Sequence, residues 1–220
     1  MKLAATNIEY SDTPAPKVVA FTSSGPGEGK TLTAANIAIS YAQNGYKTLL
    51  LDLDMRRPRV EKVLGIERSN IGIVNHLLKD VPLNKITQNY LENFDIIPVG
   101  PVPPNPTALL TSKKLEEAMN ILKNEYDRIV IDLPPILAAA DALIISKYTD
   151  GIVIVTRAGR TQKASFRIAY DNIKTSGIKL LGAVINGINS KYSSYYYYYY
   201  YYYYTEEGKK VRRRKRKGSE

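Results

Sequence analysis

Three glycines, a lysine and a threonine stand in the order Ser24-Gly25-Pro26-Gly27-Glu28-Gly29-Lys30-Thr31, between the apolar run Val18 to Thr22 and a helical pattern that begins at Lys30. These residue types at this spacing can hold an oligophosphate. Gly25, Gly27 and Gly29 let the backbone approach closely enough for its N–H groups to face phosphate oxygens, and the helix start adds the positive end of its dipole. Lys30 supplies charge at the β and γ phosphates, and the Thr31 hydroxyl is a ligand for magnesium. The usual pattern begins with glycine, where this chain has Ser24. Pro26 and Glu28 complete the candidate cradle.

Two more segments add acid. Leu49-Leu50-Leu51-Asp52-Leu53-Asp54 and Ile129-Val130-Ile131-Asp132-Leu133-Pro134-Pro135 each run from a buried strand into carboxylates. In a parallel sheet the strand C-termini share one edge, where ligands bind, so Asp52, Asp54 and Asp132 should converge on the glycine loop. Carboxylates beside a triphosphate suit magnesium, which binds through one or two of them plus phosphate oxygens and water. Taken singly, an aspartate at a strand end could equally cap the next turn.

The elements that must position these groups follow from hydrophobic periodicity. Strands are expected at 18–22, 48–53, 94–98, 128–132, 151–156 and 180–186, and helices at 30–44, 72–79, 112–124, 140–147 and 162–176. In the first helix Leu32, Ala35, Asn36, Ile39 and Ala42 or Gln43 trace the expected apolar face. Alternating strands and helices predict an α/β fold, and near-continuous apolar strands predict a doubly wound, mainly parallel sheet with helices on both faces. Residues 1–187 are read as one domain and 188–220 as a flexible tail. His76, in an apolar helix, reads as a packing residue. Tyr10, Tyr41, Tyr46, Tyr90, Tyr126, Tyr148 and Tyr170 do too.

Composition narrows the function classes. The 220 residues contain no cysteine, which excludes disulfides, thiolate metal sites and cysteine nucleophiles and fits a reducing compartment. No run reaches the ~18 apolar residues of a membrane-spanning helix, and the first residues lack a signal-peptide core. The formal charge is +10, half of it from residues 205–220, where eight Lys or Arg face three Glu. A solvated tail and attraction to anionic lipid headgroups are the two readings of this cluster. Nucleic acid is not expected, because no base-stacking platform accompanies it.

The tail also carries ten consecutive tyrosines: Tyr195, Tyr196, Tyr197, Tyr198, Tyr199, Tyr200, Tyr201, Tyr202, Tyr203 and Tyr204, with Tyr192 just before them. A phosphate loop and a store of phenolic hydroxyls on one chain suggest phosphorylation of tyrosine. Each phosphotyrosine adds about −1.5 to −2 charges, so a few would cancel the basic cluster.

The Ser-Gly-Pro-Gly-Glu-Gly-Lys-Thr loop, the segment Asp52-Leu53-Asp54-Met55-Arg56-Arg57-Pro58, the turn from Gly100 to Pro106 and the tyrosine-rich end resemble the BY-kinase family, the bacterial protein tyrosine kinases of capsule and exopolysaccharide assembly. The resemblance covers nearly the whole chain. It implies a P-loop kinase that uses ATP and magnesium, with Lys30, Thr31 and the rest of the loop from Gly25 binding nucleotide and Asp132 supporting the metal. Asp52 and Asp54 fall in the family's second Walker-type motif, and Asn186 is similar to an adenine-contacting asparagine. On this reading Asp52 orients the tyrosine hydroxyl and accepts its proton late, while Asp54 helps place magnesium or Asp52. The tyrosines from Tyr192 onward become autophosphorylation sites.

The resemblance further implies a cytoplasmic protein peripheral at the inner membrane face, a separate membrane activator with a cytoplasmic activating segment, and a cognate tyrosine phosphatase. Family rings form through a Glu-x-x-Arg-x-x-Arg helix just before a segment like Thr6-Asn7-Ile8. Lys2 and Ala5 fall where the arginines would be, so a homo-oligomeric ring is expected to be weakened or its motif truncated. Two rival functions share the features of the fold: a Min- or Par-type positioning ATPase, whose loop carries lysine where this chain has Gly25, and a non-catalytic nucleotide-binding scaffold of a polymer-assembly complex.

Overall fold

The computed structural model describes residues 1–188, of which Met1–Asn186 form one compact unit. The expected tail, with Tyr192, the tyrosine run and the basic cluster, lies outside the described residues. The strands are β1 (Val18–Ser23), β2 (Thr48–Asp52), β3 (Gln88–Leu91), β4 (Phe94–Ile97), β5 (Arg128–Asp132), β6 (Gly151–Arg157) and β7 (Leu180–Asn186). The α-helices are α1 (Lys2–Glu9), α2 (Lys30–Gln43), α3 (Val60–Leu64), α4 (Ile73–Lys79), α5 (Leu83–Ile86), α6 (Pro106–Leu110), α7 (Lys113–Glu125), α8 (Asp141–Ile145) and α9 (Lys163–Thr175). The sheet runs in the order β3-β4-β2-β5-β1-β6-β7, and every pairing is parallel except the antiparallel β3–β4 edge.

Alternation within the strands explains why they read as unbroken apolar runs. Val18 and Ala20 of β1, Leu49 and Leu51 of β2, and Ile129 and Ile131 of β5 join one core with residues of α4, α7, α8 and α9. Their neighbours Val19, Phe21, Leu50 and Val130 join the other, with α1 and α2. Each residue therefore meets a helix layer whichever way it points, as burial on both faces requires. Parallel pairing then brings the C-terminal ends of β1, β2, β5, β6 and β7 to a common edge.

Several sequence expectations shift. Of the face drawn through Leu32, Ala35, Asn36, Ile39 and Ala42, the alanines are buried and Ile39 packs at the edge of the core, but Leu32 is 47% exposed, and Ala34, Ile37, Ala38 and Tyr41 also pack inward. Small alanines between Ile37 and the start of α2 let the helix lie close on the sheet. β3 and α1 were not foreseen. β3 is only four residues long and alternates polar and half-buried positions at the sheet edge. In α1, Ala5 and Ile8 pack into the core, so position 5 is committed to packing and Lys2 stays at the surface. Tyr41, Tyr126 and Tyr148 are buried as expected, whereas Tyr10 is 81% exposed. The lone histidine makes a local contact, His76 Nδ1 to the Val81 carbonyl at 2.8 Å. No described helix is long and apolar enough to cross a membrane.

The loop after β2 is anchored from outside the sheet. Arg56 donates from Nε to Asp141 Oδ2 and from Nη2 to Oδ1, both at 3.0 Å, and from Nη2 to Thr107 Oγ1 at 3.3 Å. Arg56 is thus the clamp that ties this loop to the start of α8. Asp141 is fully buried while Arg56 keeps contact with water, so the two partners are unequal. Removing the arginine strands a buried carboxylate; removing the acid frees a group that water can still solvate. Arg56→Ala is expected to cost about 3 kcal/mol in urea unfolding and Asp141→Asn clearly less. Equal costs would show that the pair is not held in this way.

Candidate active site

Residues 24–29 must turn the chain from β1 into α2 at the common edge. Gly27 and Gly29 take φ of 77° and 94°, in the left-handed region that glycine enters without strain. Space demands glycine too: a Cβ on Gly29 would sit 2.0 Å from Asn186 Nδ2, and one on Gly27 would sit 2.9 Å from the Arg160 guanidinium. Asn186, the last residue of β7, therefore rests against the loop. Pro26, Gly27, Gly29, Lys30 and Thr31 line a cavity of about 540 Å³, with Asp54 on its wall.

Glu28 has another task than the one expected. Its Oε2 accepts the N–H groups of Ser24 at 2.9 Å and Gly25 at 3.1 Å, and its Oε1 accepts the Thr161 hydroxyl at 2.7 Å. Buried in this way, it braces the loop and does not line the cavity, and Gly25 serves as one end of that brace. The turn after β6 completes the arrangement. Arg157 Nη1 donates to the Gly27 carbonyl at 3.3 Å, and Arg160 reaches the cavity. Sequence reading passed over Arg157, Arg160 and Thr161. The signal was there, since Arg157-Ala158-Gly159-Arg160-Thr161 directly follows a strand parallel to β1 and must emerge at the same edge.

Lys30 is the hub of the charges. Its Nζ lies 2.7 Å from Asp54 Oδ2 and 3.3 Å from Asp132 Oδ2, and Thr31 Oγ1 donates to Asp132 Oδ2 at 2.7 Å. Burial alone would lower the Lys30 pKa, but the Asp132 and Asp54 carboxylates overcome it and hold the ammonium above its ordinary value. Burial raises Asp132 against the opposing pull of Lys30. Asp52 is pushed well above the usual carboxylate range by burial and then by the charge of Asp132. Asp54 and Asp132 thus share one ammonium, while the buried Asp52 beside them is held toward its neutral form.

Asp52 and Asp54 exchange the importance expected of them. The Asp52 carboxylate is 1% exposed and accepts the N–H groups of Asp54 at 3.0 Å and Val60 at 3.3 Å. It is not among the residues that line the cavity, and its two hydrogen bonds hold the loop that carries Asp54. Asp54 faces the cavity, and its Oδ1 accepts the Arg57 N–H at 2.9 Å.

Among the described residues no three His, Cys, Asp or Glu side chains surround one metal position. The donor set is nevertheless all oxygen around Thr31, Asp54 and Asp132, which fits a small hard cation that takes most of its ligands from phosphate and water.

Residues 16–162 match the family described as AAA domain. The tyrosine-protein kinase YwqD of Bacillus subtilis (strain 168) is 42% identical over 193 residues, covering 86% of this chain and 81% of that protein. The tyrosine-protein kinase CpsD of Streptococcus agalactiae is 37% identical over 191 residues, covering 86% and 83%. Among solved structures, the chimerical protein CapA2B2 superposes with a TM-score of 0.81 at 34% identity, covering 85% of this chain and 83% of that one. The septum site-determining protein MinD from Pyrococcus horikoshii, complexed with Mg-ADP, superposes less well, at 0.64 and 26% identity over 77% and 69%. On these likenesses the chain belongs to the bacterial protein tyrosine kinase family, on the P-loop α/β fold.

Proposed function

We propose that this chain transfers the γ-phosphoryl group of ATP to tyrosine hydroxyls, those of Tyr192 and of Tyr195 to Tyr204 among them, and so regulates capsule or exopolysaccharide synthesis and export. The observation that carries the reading is the cluster of Lys30, Thr31, Asp54 and Asp132 on a cavity walled by the glycine loop. Asn186 supports the autophosphorylation half. It touches Gly29, and the tyrosines follow it in sequence at ~3.3 Å per extended residue, so the first of them begin within reach of the site or of a neighbouring subunit.

Thr31, with Asp132 behind it and Asp54 across from it, would hold magnesium, which when bound neutralises charge along the phosphates. Lys30 exchanges its carboxylate partners for phosphate oxygens and steadies the transferred group. A tyrosine hydroxyl has a pKa near ~10 and an aspartate near ~3.9, so no carboxylate here removes the proton beforehand. The loose transition state of phosphoryl transfer needs little nucleophilic push, and positioning dominates. Asp54 orients the hydroxyl and takes the proton late; Asp52 fixes the backbone that presents Asp54. Asn186 and Arg160 flank the nucleotide side. A membrane protein with a cytoplasmic activating segment switches the kinase on, a cognate phosphatase reverses it, and the basic tail draws it to anionic membrane.

Incubation of the purified chain with ATP and magnesium, with and without the activating segment, followed by mass-spectrometric mapping, is expected to find phosphotyrosine in the tail. ATP hydrolysis without tyrosine modification, even with activator, would favour a positioning ATPase instead. Asp54→Asn should lower kcat about 10²-fold, and Asp52→Asn about tenfold through misplacement. Full activity in both variants would overturn the division of roles. Chelation of magnesium is expected to abolish transfer and to shrink the rise in Tm that ATP produces, both restored on adding the metal back. An undiminished Tm shift in chelator would remove magnesium from the site.

A further inference from the structure

The wall of the cavity carries positive charge beyond that of Lys30. Arg57 and Arg59, on the loop between β2 and α3, are exposed and line the wall with Val63 of α3 and the half-exposed Leu32 of α2. Among the described residues neither guanidinium has a carboxylate within ion-pair distance. Their neighbour Arg56 is taken by Asp141, and Arg160 leans on Gly27. An apolar strip beside two unpaired guanidiniums suits a phenol ring whose peptide bears an anion two or three residues away. Side chains two apart on an extended peptide share a face at roughly 7 Å, within the span of an arginine.

We infer that Arg57 and Arg59 form a subsite for an anionic side chain flanking the acceptor tyrosine, first a carboxylate and afterwards a phosphotyrosine. The inference rests on the kinase reading above and adds an order to it. Between Gly187 and Tyr204 the sequence has no Asp or Glu, and Glu206 and Glu207 follow directly after Thr205. Tyr203 and Tyr204 are therefore the tyrosines of the run with a carboxylate two or three positions on. In each turnover the tyrosine Oη–Pγ bond forms as the bond from Pγ to the bridging oxygen breaks. ADP leaves with that electron pair, and the phenolic proton passes to Asp54. The phosphate so placed becomes the flanking anion for the tyrosine two or three positions earlier, and modification advances from Tyr204 toward Tyr195.

The full chain, with ATP, magnesium and the activating segment, would be sampled over time by fragment-ion mass spectrometry. The first phosphates are expected on Tyr203 and Tyr204, and Glu206→Gln with Glu207→Gln should slow their appearance several-fold. Three synthetic peptides, with Gln-Gln, Glu-Glu or phosphotyrosine placed after the acceptor, should rise in kcat/KM by about threefold and then about tenfold, through KM. Arg57→Ala with Arg59→Ala should narrow that spread while leaving the affinity for a fluorescent ATP analogue intact. Equal use of the three peptides, a random order along the run, or lost nucleotide affinity in the double variant would overturn the subsite alone. Absence of any tyrosine modification by the activated chain would bring down the kinase reading with it.

Discussion

Three buried carboxylates around one ammonium is an arrangement that no folding pressure would select by itself. Asp52, Asp54 and Asp132 crowd Lys30, and only Asp54 and Asp132 reach it directly. Burying charge is costly unless it is paired, and here the pairing is incomplete by design of the positions. The surplus is tolerable because backbone N–H groups, the Thr31 hydroxyl and the clamp of Arg56 on Asp141 hold every member in place. The carboxylates and their one ammonium meet beside the glycine loop, on the wall of the same cavity. The relation between stability and activity thus runs through the same few atoms.

The parallel sheet makes such crowding possible. Register pairs Asp52 of β2 directly with Asp132 of β5, and Phe21 of β1 with that same Asp132, so the acids and the glycine loop lie side by side without any long-range loop having to find them. Helices on both faces seal the strands, and only the loops at one edge remain for chemistry. Because Glu28 ties the glycine loop to Thr161, and Arg157 binds the Gly27 carbonyl, the phosphate cradle is fixed to the neighbouring β6 turn as well as to its own strand.

Most of this was legible before any coordinates. The central strands stood out because their residues are buried on both faces, which leaves runs such as Leu49-Leu50-Leu51 with no polar member, and the limits of the six parallel strands differ from those read in the sequence by a residue or so. Lys30, Thr31 and the two strand-end acids came from spacing that few other chemistries use. What remained hidden was of another kind. β3 is short and polar and owes its existence to the partner it pairs with, not to a pattern of its own. The face of α2 was read only in part, because alanines pack closely there and the larger Leu32 looks outward. Which of Asp52 and Asp54 faces the cavity depends on where each carboxylate finds a backbone N–H, and no sequence pattern records that. Glu28 looked like a nucleotide contact for the same reason.

The wedge of Asn186 against Gly29 sets different rules for mutation on its two sides. Within β7, inserting or deleting one residue would turn the asparagine to the opposite face of the sheet and empty the place it fills beside the loop, since side chains alternate along a strand. From Tyr195 to Tyr204 the sequence repeats a single residue type, where gain or loss of a codon changes the length of the run and no residue of the folded unit. The fold thereby separates a junction intolerant of length change from a tract whose length the folded unit does not fix.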